Sequence, residues 1–347
     1  MRILTYNLWH GLDGKGVLFF GELEPWGRKQ ERVKIQIRCL QKWAADIVFF
    51  QELNPLFPAV YDYSSQLKTD HIQQMDLSGI KIGGFGPPFN LQSGLATLCR
   101  EDWSFSRLKG LQLSGDRPMN RQFFSFQFRE ARYALFGEIY HPEWGRVLLV
   151  NTHLHHGCEY DPAWDCYLNQ MVQEGKLKEA DKRSLQRDLR RGDRRREGEL
   201  KKLLEQIDQL SHDYELTILG GDFNSRPDSV VIKRVLDQGF EDAWLASGQS
   251  DPGLTWDCNQ NPGNHQFNED VQFGFQWQQK VGPLSIRQDL LEKVHKFESR
   301  PRRIDYLFFR TSHRLRVKSE VFHAKDSHRD LHGSDHFGVG MVLEKDF

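Results

Sequence analysis

A chain of 347 residues, 38% hydrophobic and 12% aromatic, carries enough apolar material for a sizeable core, which excludes a disordered or repetitive polymer. Its formal net charge of -1 excludes a global attraction to nucleic acid or anionic membranes, so either partner has to be met by a local patch. Five scattered cysteines, Cys39, Cys99, Cys158, Cys166 and Cys258, show no metal-ligand spacing, and the odd count fits reduced thiols better than a disulfide framework.

No apolar run is long enough to span a bilayer, and the first residues, 2–6, already read as a strand. The expectation is a cytoplasmic protein, or a secreted one if a leader has been removed. That strand ends in Asn7-Leu8-Trp9-His10-Gly11, a polar side chain where apolar alternation stops. The loop after it holds Val17, Leu18, Phe19, Phe20, Leu23 and Trp26, which either fold back as a satellite core or stay exposed as an apolar lip suited to a membrane interface. A helix over 29–43 keeps Val33, Ile37 and Leu40 at helical spacing. Residues 46–52 then form a near-continuous apolar run, suited to a strand covered on both faces, that ends in Glu52. A carboxylate there is costly unless it meets a cation or a donor, so Glu52 reads either as a site residue or as a capping or salt-bridged one.

Between 80 and 150, alternating strands at 93–99, 123–128, 133–140 and 147–150 predict a layered antiparallel sheet. The last runs into Asn151-Thr152-His153-Leu154-His155-His156. Histidines spaced i, i+2, i+3 on a strand do not converge on one zinc ion, so His153 as a ligand of a phosphoryl oxygen is the better functional reading, beside a merely solvated loop. Residues 165–210 predict one or two exposed helices, the second closing with Leu200, Leu203, Leu204, Ile207 and Leu210. Within them Arg190-Arg191-Gly192-Asp193-Arg194-Arg195-Arg196 is either a contact for nucleic acid or anionic lipid head groups, or a solvated face.

Residues 216–219 read as a buried strand, after which Gly220-Gly221 would let the backbone bend sharply ahead of Asp222-Phe223-Asn224. Residues two apart on a strand continuation share a side, so a carboxylate able to take a proton and a carboxamide able to donate to an anionic oxygen sit together. The same tripeptide alone is an ordinary Asp-x-Asn turn. A short helix at 229–239, a surface loop rich in Asn and Gln to about 279 and an inserted helix at 285–297 follow. Then comes Arg302-Arg303-Ile304-Asp305-Tyr306-Leu307, an apolar strand with one acid, and Gly333-Ser334-Asp335-His336-Phe337-Gly338 ahead of the last strand at 339–343.

Asn7, Glu52, His153, Asp222 with Asn224, Asp305, and Asp335 with His336 thus lie at strand edges along the whole chain. Cleaving a phosphodiester with water needs a base, a cation and donors around phosphorus, and this set can supply or hold all of them. In this order and with these neighbours the residues resemble the motifs of the endonuclease/exonuclease/phosphatase superfamily, the DNase I-like fold. The resemblance implies an α/β class fold, a four-layered α/β sandwich of two packed, mainly antiparallel sheets flanked by helices. It implies a single domain over 1–347, with a charged helical insertion near 156–198 and a loop-helix insertion near 259–300, and an active site in the groove at the top of the sheets. It also implies phosphoester hydrolysis with Mg²⁺, for which Mn²⁺ can substitute. By the same resemblance Glu52 is a direct metal ligand, and Asn7 and Asp335 complete or support the metal shell. Asp222 orients or deprotonates the attacking water, and Asn224 holds a phosphate oxygen. Asp305 partners His336, whose imidazolium binds the phosphate, and His153 is the second phosphate-binding histidine.

Branch motifs narrow the expected substrate. Gln51-Glu52-Leu53 lacks the lysine that apurinic-site endonucleases carry after the glutamate, and His153 stands where they have a tyrosine. Arg303-Ile304-Asp305-Tyr306 differs from the Trp-x-Asp-Arg pattern of inositol polyphosphate phosphatases. Asn151-Thr152-His153-Leu154-His155, Arg303-Ile304-Asp305-Tyr306 and Ser334-Asp335-His336 are most similar to neutral sphingomyelinase-type phosphodiesterases and their bacterial relatives. The expectation is a Mg²⁺-dependent phosphodiesterase acting on a phospholipid head group, with peripheral membrane contact and no obligate protein partner. A nuclease or DNA-end phosphodiesterase stays as the alternative. The segment from Ser93 ends in Glu101-Asp102, unlike its sphingomyelinase counterpart, and Thr255-Trp256-Asp257 resembles tyrosyl-DNA phosphodiesterases. A catalytically inactive binding protein is the remote reading, since no acid of the set is missing.

Overall fold

The strands Ile47–Leu53 and Leu216–Asp222 are buried along almost their whole length, which requires cover on both faces. The computed structural model describes residues 1–13, 22–76, 79–82, 93–115, 119–121, 124–127, 131–261, 293, 300–326, 328 and 331–346. The apolar loop from Val17 to Phe20 lies outside them, as does the helix expected at 285–297 apart from one residue. Twelve strands build two six-stranded sheets. In chain order they are β1 (Arg2–Asn7), β2 (Ile47–Leu53), β3 (Thr69–Met75), β4 (Gly94–Arg100), β5 (Ser104–Ser114) and β6 (Arg132–His141), then β7 (Gly145–His153), β8 (Leu216–Asp222), β9 (Glu241–Asp242), β10 (Asp305–Thr311), β11 (Leu315–Phe322) and β12 (Gly338–Lys345). The first sheet runs β11-β12-β1-β2-β4-β3 and the second β9-β10-β8-β7-β6-β5. Each holds a central parallel pair, β1 with β2 and β7 with β8, flanked by antiparallel neighbours.

Side-chain alternation assigns the layers. Ile47 and Phe49 of β2 point at the other sheet and meet Leu149, Ile218 and Leu307, whereas Val48 and Phe50 point outward. The outward face of the first sheet packs on α1 (Trp26–Trp43) and α2 (Leu56–Leu67) through Ile37, Leu40, Val60 and Tyr63. On the second sheet Leu148, Val150, Leu219 and Phe308 point outward. They pack under α5 (Arg191–Ser211) and α6 (Val230–Asp237), after α3 (Ala163–Gln173) and α4 (Glu179–Leu189) in the chain. Two mixed, mainly antiparallel sheets between helical layers make the four-layered α/β sandwich. Among the described residues no helix is long and apolar enough to cross a membrane.

Local differences from the sequence reading have physical causes. Gly220 and Gly221 do not bend the chain but stay inside β8. A Cβ on Gly220 would lie 2.6 Å from Phe49 and 2.7 Å from Leu307, and Gly221, at φ 144°, would meet the Thr152 carbonyl oxygen at 1.9 Å. They are glycines of close approach rather than of a turn. α2 is absent from the sequence reading, and its Pro58 sits in the first turn, where a missing N–H costs nothing. Between 163 and 211 there are three helices rather than one or two, and they are not wholly exposed. Cys158, Trp164, Leu168, Met171, Leu185 and Leu189 form a small core of their own.

Candidate active site

The parallel pairs bring their carboxyl ends to one edge of the sandwich, and the antiparallel neighbours β10 and β12 bring their amino ends to the same edge. In the second sheet His153, Asp222 and Asp305 stand in register on three adjacent strands. In the first, Asn7 is opposite Gln51, and Asp335-His336 lies just ahead of β12. Asn7 ties the two halves together: its Nδ2 donates to Glu52 Oε1 at 3.2 Å and to Asp222 Oδ2 at 3.0 Å.

Glu52 reaches this edge through a backbone irregularity. The β2–β4 register shifts between Phe50 and Leu53, and Glu52 itself takes a left-handed φ of 56°. A bulge of this kind turns a side chain out of the pleat, and a non-glycine residue there is held against strain of about 1–3 kcal/mol. Its carboxylate accepts from the His10 backbone N–H at 3.0 Å, and His10 Nε2 and His153 Nε2 stand at 3.6 and 3.8 Å. Burial raises the Glu52 pKa, but the facing histidines, His10 foremost, outweigh it and hold the carboxyl well below the usual range. Asp335 moves the other way. Burial pushes its carboxyl up against the pull of His336, and the charge of Glu52 adds to the push.

Asp222 is the hub. Its Oδ2 lies 3.5 Å from His153 Nε2 and 3.8 Å from His336 Nε2, while Oδ1 accepts the Asn224 backbone N–H at 2.8 Å. Burial, reinforced by the neighbouring Asp305, raises its pKa to about 7 against the lowering effect of His336. His336 Nδ1 donates to Asp305 Oδ2 at 2.9 Å. Burial alone would lower that imidazole, but Asp305, Asp335 and Asp222 hold its pKa well above the ordinary 6.5. Asp222-Phe223-Asn224 takes the expected turn while keeping Asp222 in the cluster. Asn224 sits at a left-handed φ of 47°, its N–H closes a turn on Asp222, and its Nδ2 donates to the Leu154 carbonyl at 3.1 Å.

His153 is fixed by a residue that no sequence motif marks. Arg132, buried at the start of β6, donates to His153 Nδ1 at 2.9 Å and to His156 Nδ1 at 2.8 Å. A guanidinium can only donate, so Nδ1 of His153 is an acceptor and the ring proton is on Nε2, which faces Glu52 and Asp222. The same contacts place a cation between His153 and His156, consistent with the expectation that these histidines do not gather around zinc. Beneath the site Gln51 Nε2 donates to Asn151 Oδ1 at 2.8 Å, and Asn151 Nδ2 donates to the Phe50 and Ala96 carbonyls, so a buried amide pair pins the two sheets together. On the other side Arg32 of α1 binds Glu24 and the Leu8 carbonyl at 3.1 Å, and also the Gly333 carbonyl, which holds the chain segments after Asn7 and before Asp335. The only sequence signal for these residues is a polar side chain inside an apolar run, present for Asn151 and absent for Arg132 and Arg32.

The donor set fits a divalent cation. Among the described residues no lysine or arginine pairs with Glu52, and Asp335 is repelled by it, so this side of the cluster carries negative charge that a hard cation would offset. Asn7 as placed donates to the acids and turns its Oδ1 to the Trp9 N–H at 3.1 Å, a supporting position. Among the described residues only Asp222, Asp305 and His336 offer ligand atoms all within 4.8 Å of one another. Those three are already tied by the His336–Asp305 hydrogen bond, and the carboxylates of Glu52 and Asp335 beside them could take a hard cation.

The fold recurs in solved structures of low sequence identity. D. rerio TDP2 complexed with a single-strand DNA product is 15% identical with a TM-score of 0.53, over 99% of this chain and 98% of that one. The human Nocturnin catalytic domain with bound sulfate is 14% identical with a TM-score of 0.54, over 100% and 94%. An endonuclease/exonuclease/phosphatase family protein from Leptotrichia buccalis is 15% identical with a TM-score of 0.53, over the full length of both chains. No curated protein matches the sequence. The model of the endonuclease/exonuclease/phosphatase family, however, matches residues 4–336, from β1 through His336. This chain therefore belongs to the endonuclease/exonuclease/phosphatase family, whose members hydrolyse phosphoester bonds.

Proposed function

We propose that the protein hydrolyses a phosphodiester with Mg²⁺, for which Mn²⁺ can substitute. The observation that carries this is the buried row His153, Asp222, Asp305 and His336, with Glu52 facing it across the sheet boundary. Asp222, with a pKa near 7, takes the proton of the attacking water. His336 stays an imidazolium because Asp305 accepts from its Nδ1, so its Nε2–H is left to donate to a phosphoryl oxygen. His153, its tautomer set by Arg132, presents Nε2–H from the opposite side, so charge developing on phosphorus is met by two donors. Asn224 gives one amide N–H to Leu154 and keeps the other for a phosphate oxygen. Glu52 and Asp335 would hold the cation, braced by Asn7, and its chemistry would be neutralisation of the non-bridging oxygens and the leaving group.

The scissile diester belongs to nucleic acid or to a phospholipid head group. In support of the first, a structure sharing this fold holds a single-strand DNA product. In support of the second, Trp26, the described aromatic side chain of the apolar loop, is 66% exposed at the start of α1. The test is a panel of sphingomyelin, glycerophosphodiesters, single- and double-stranded DNA, 5'-tyrosyl DNA and phosphomonoesters, each with Mg²⁺, Mn²⁺ or EDTA. Hydrolysis of at least one diester that EDTA abolishes is expected. Turnover confined to monoesters, or untouched by EDTA, would overturn the reading.

A further inference from the structure

Part of the basic surface of the helical segment stays exposed, although Arg196 is buried against Asp193 and Arg195 pairs with Glu199. Arg183 and Arg187 of α4, Arg190 at the junction and Arg194 of α5 are all exposed, spaced by four, three and four residues, and line one groove of about 760 Å³ closed by Tyr160. The acids that also line it are engaged elsewhere. Asp193 pairs with the fully buried Arg196 and accepts the Tyr160 backbone N–H at 3.1 Å, and Glu197 pairs with Arg234 at 3.2 Å. Arg190 lies 3.5 Å from Asp165, but among the described residues no carboxylate pairs with Arg183 or Arg187. Four guanidinium groups in one concavity, on a chain whose net charge is -1, form a local anion site that composition alone would not announce.

The groove is tied to the catalytic edge. Tyr160 belongs to the segment that leaves β7 just after His153. Arg196 clamps that segment through the carbonyls of His155, Gly157 and Cys158, and Glu199 accepts the His155 N–H at 2.7 Å. From the other side Arg226, two residues past Asn224, binds Glu159 through its backbone N–H at 2.8 Å. Tyr160 also carries Arg190 over its ring at 4.2 Å, with a hydrogen bond from that guanidinium to its hydroxyl at 3.1 Å. Forked donors spaced along a channel suit successive phosphates, and a flat guanidinium–aromatic pair suits the face of an unpaired base. A flat anionic bilayer would meet a protruding basic face more fully than a concave groove such as this one.

We propose that this groove binds a single-stranded nucleic acid and leads its backbone to the catalytic edge. The inference depends on the proposed hydrolase activity for the strand to be a substrate, but not for it to be bound. The test reads fluorescence anisotropy of a labelled oligothymidylate in EDTA, without turnover, across about 50 to 200 mM salt. The proteins compared are the parent, Arg183→Glu/Arg187→Glu and Arg183→Lys/Arg187→Lys, with melting temperatures confirming that each is folded. Salt-sensitive binding by the parent is expected. The Glu pair should weaken it at least about tenfold and flatten the salt slope by about 1.4 or more, at roughly 0.7 for each phosphate of a single strand that is no longer neutralised. The Lys pair should stay within about threefold, because each charge is kept. No binding by the parent, or equal binding by the Glu pair, overturns the proposal. So does capture of the parent by phosphatidylserine vesicles, abolished in the Glu pair, without oligonucleotide binding. Absence of diester hydrolysis alongside charge-dependent oligonucleotide binding would sink the hydrolase reading and leave this one standing.

Discussion

Asp222→Asn should make the protein more stable above neutral pH while stopping catalysis. The folded Asp222 carboxyl titrates near 7 instead of 3.8, chiefly because it is buried and next to Asp305. Between those values the folded state holds a proton that the unfolded chain has released, so stability falls as pH rises through this window. A shift of about three units, in which the pull of His336 is already included, corresponds to about 4 kcal/mol lost above pH 7. An asparagine does not ionise and escapes that loss. It cannot accept through both arms, however, so it loses either the Asn7 bond or the Asn224 bond, at about 1 kcal/mol. The stability curves should therefore cross. The variant should be about 1 kcal/mol less stable near pH 4 and about 2–3 kcal/mol more stable near pH 8, with turnover down by a factor of about 10²–10⁴. Urea unfolding in EDTA at several pH values measures this. A difference between parent and variant that does not change with pH would refute the burial argument for Asp222.

Asp305→Asn removes the anion that holds His336 charged and that also helps raise Asp222, so both limbs of the pH–rate profile should move to lower pH. An unmoved profile would give Asp305 a different role. Gly220→Ala puts a methyl group against Phe49 and Leu307 between the sheets and should cost about 1–3 kcal/mol in chemical denaturation. A neutral result would mean the sheets can part there. Arg32→Ala leaves the buried Glu24 without its partner and leaves the Leu8 and Gly333 carbonyls to Gln36 alone, so a loss of about 3–5 kcal/mol is expected. An unchanged thermal melt would count against this anchor.

Much of the site is legible in the sequence because strands covered on both faces leave no apolar reason for a polar residue at their ends. Asn7, Asp222 and Asp305 each stand out against such a run, and Asp335-His336 precedes another. Their order suffices for the family and for the layered fold. What stays hidden depends on pairing across the sandwich. The bulge that turns Glu52 toward the site needs a positive φ at a non-glycine residue, which leaves no compositional mark. Arg132 is an unremarked strand residue until β6 pairs with β7 and sets its guanidinium against His153. Gly220-Gly221 looks like a bend because glycine permits one, and only the approach of Phe49 and Thr152 reveals why nothing larger fits. The charge of the helices between 163 and 211 suggests solvated faces and conceals the small core under Trp164 and the burial of Arg196.

That Glu52 holds the cation with which the row from His153 to His336 cleaves a phosphodiester is our proposal. It is tested most directly by initial rates of bis(4-nitrophenyl) phosphate hydrolysis against Mg²⁺ concentration, for the parent and Glu52→Gln side by side. A saturable Mg²⁺ requirement is expected in the parent, with the variant's maximal rate collapsing and its half-saturating Mg²⁺ rising at least about tenfold, since a charged ligand to a hard cation is removed. Equal rates and equal half-saturation for the two proteins would contradict it.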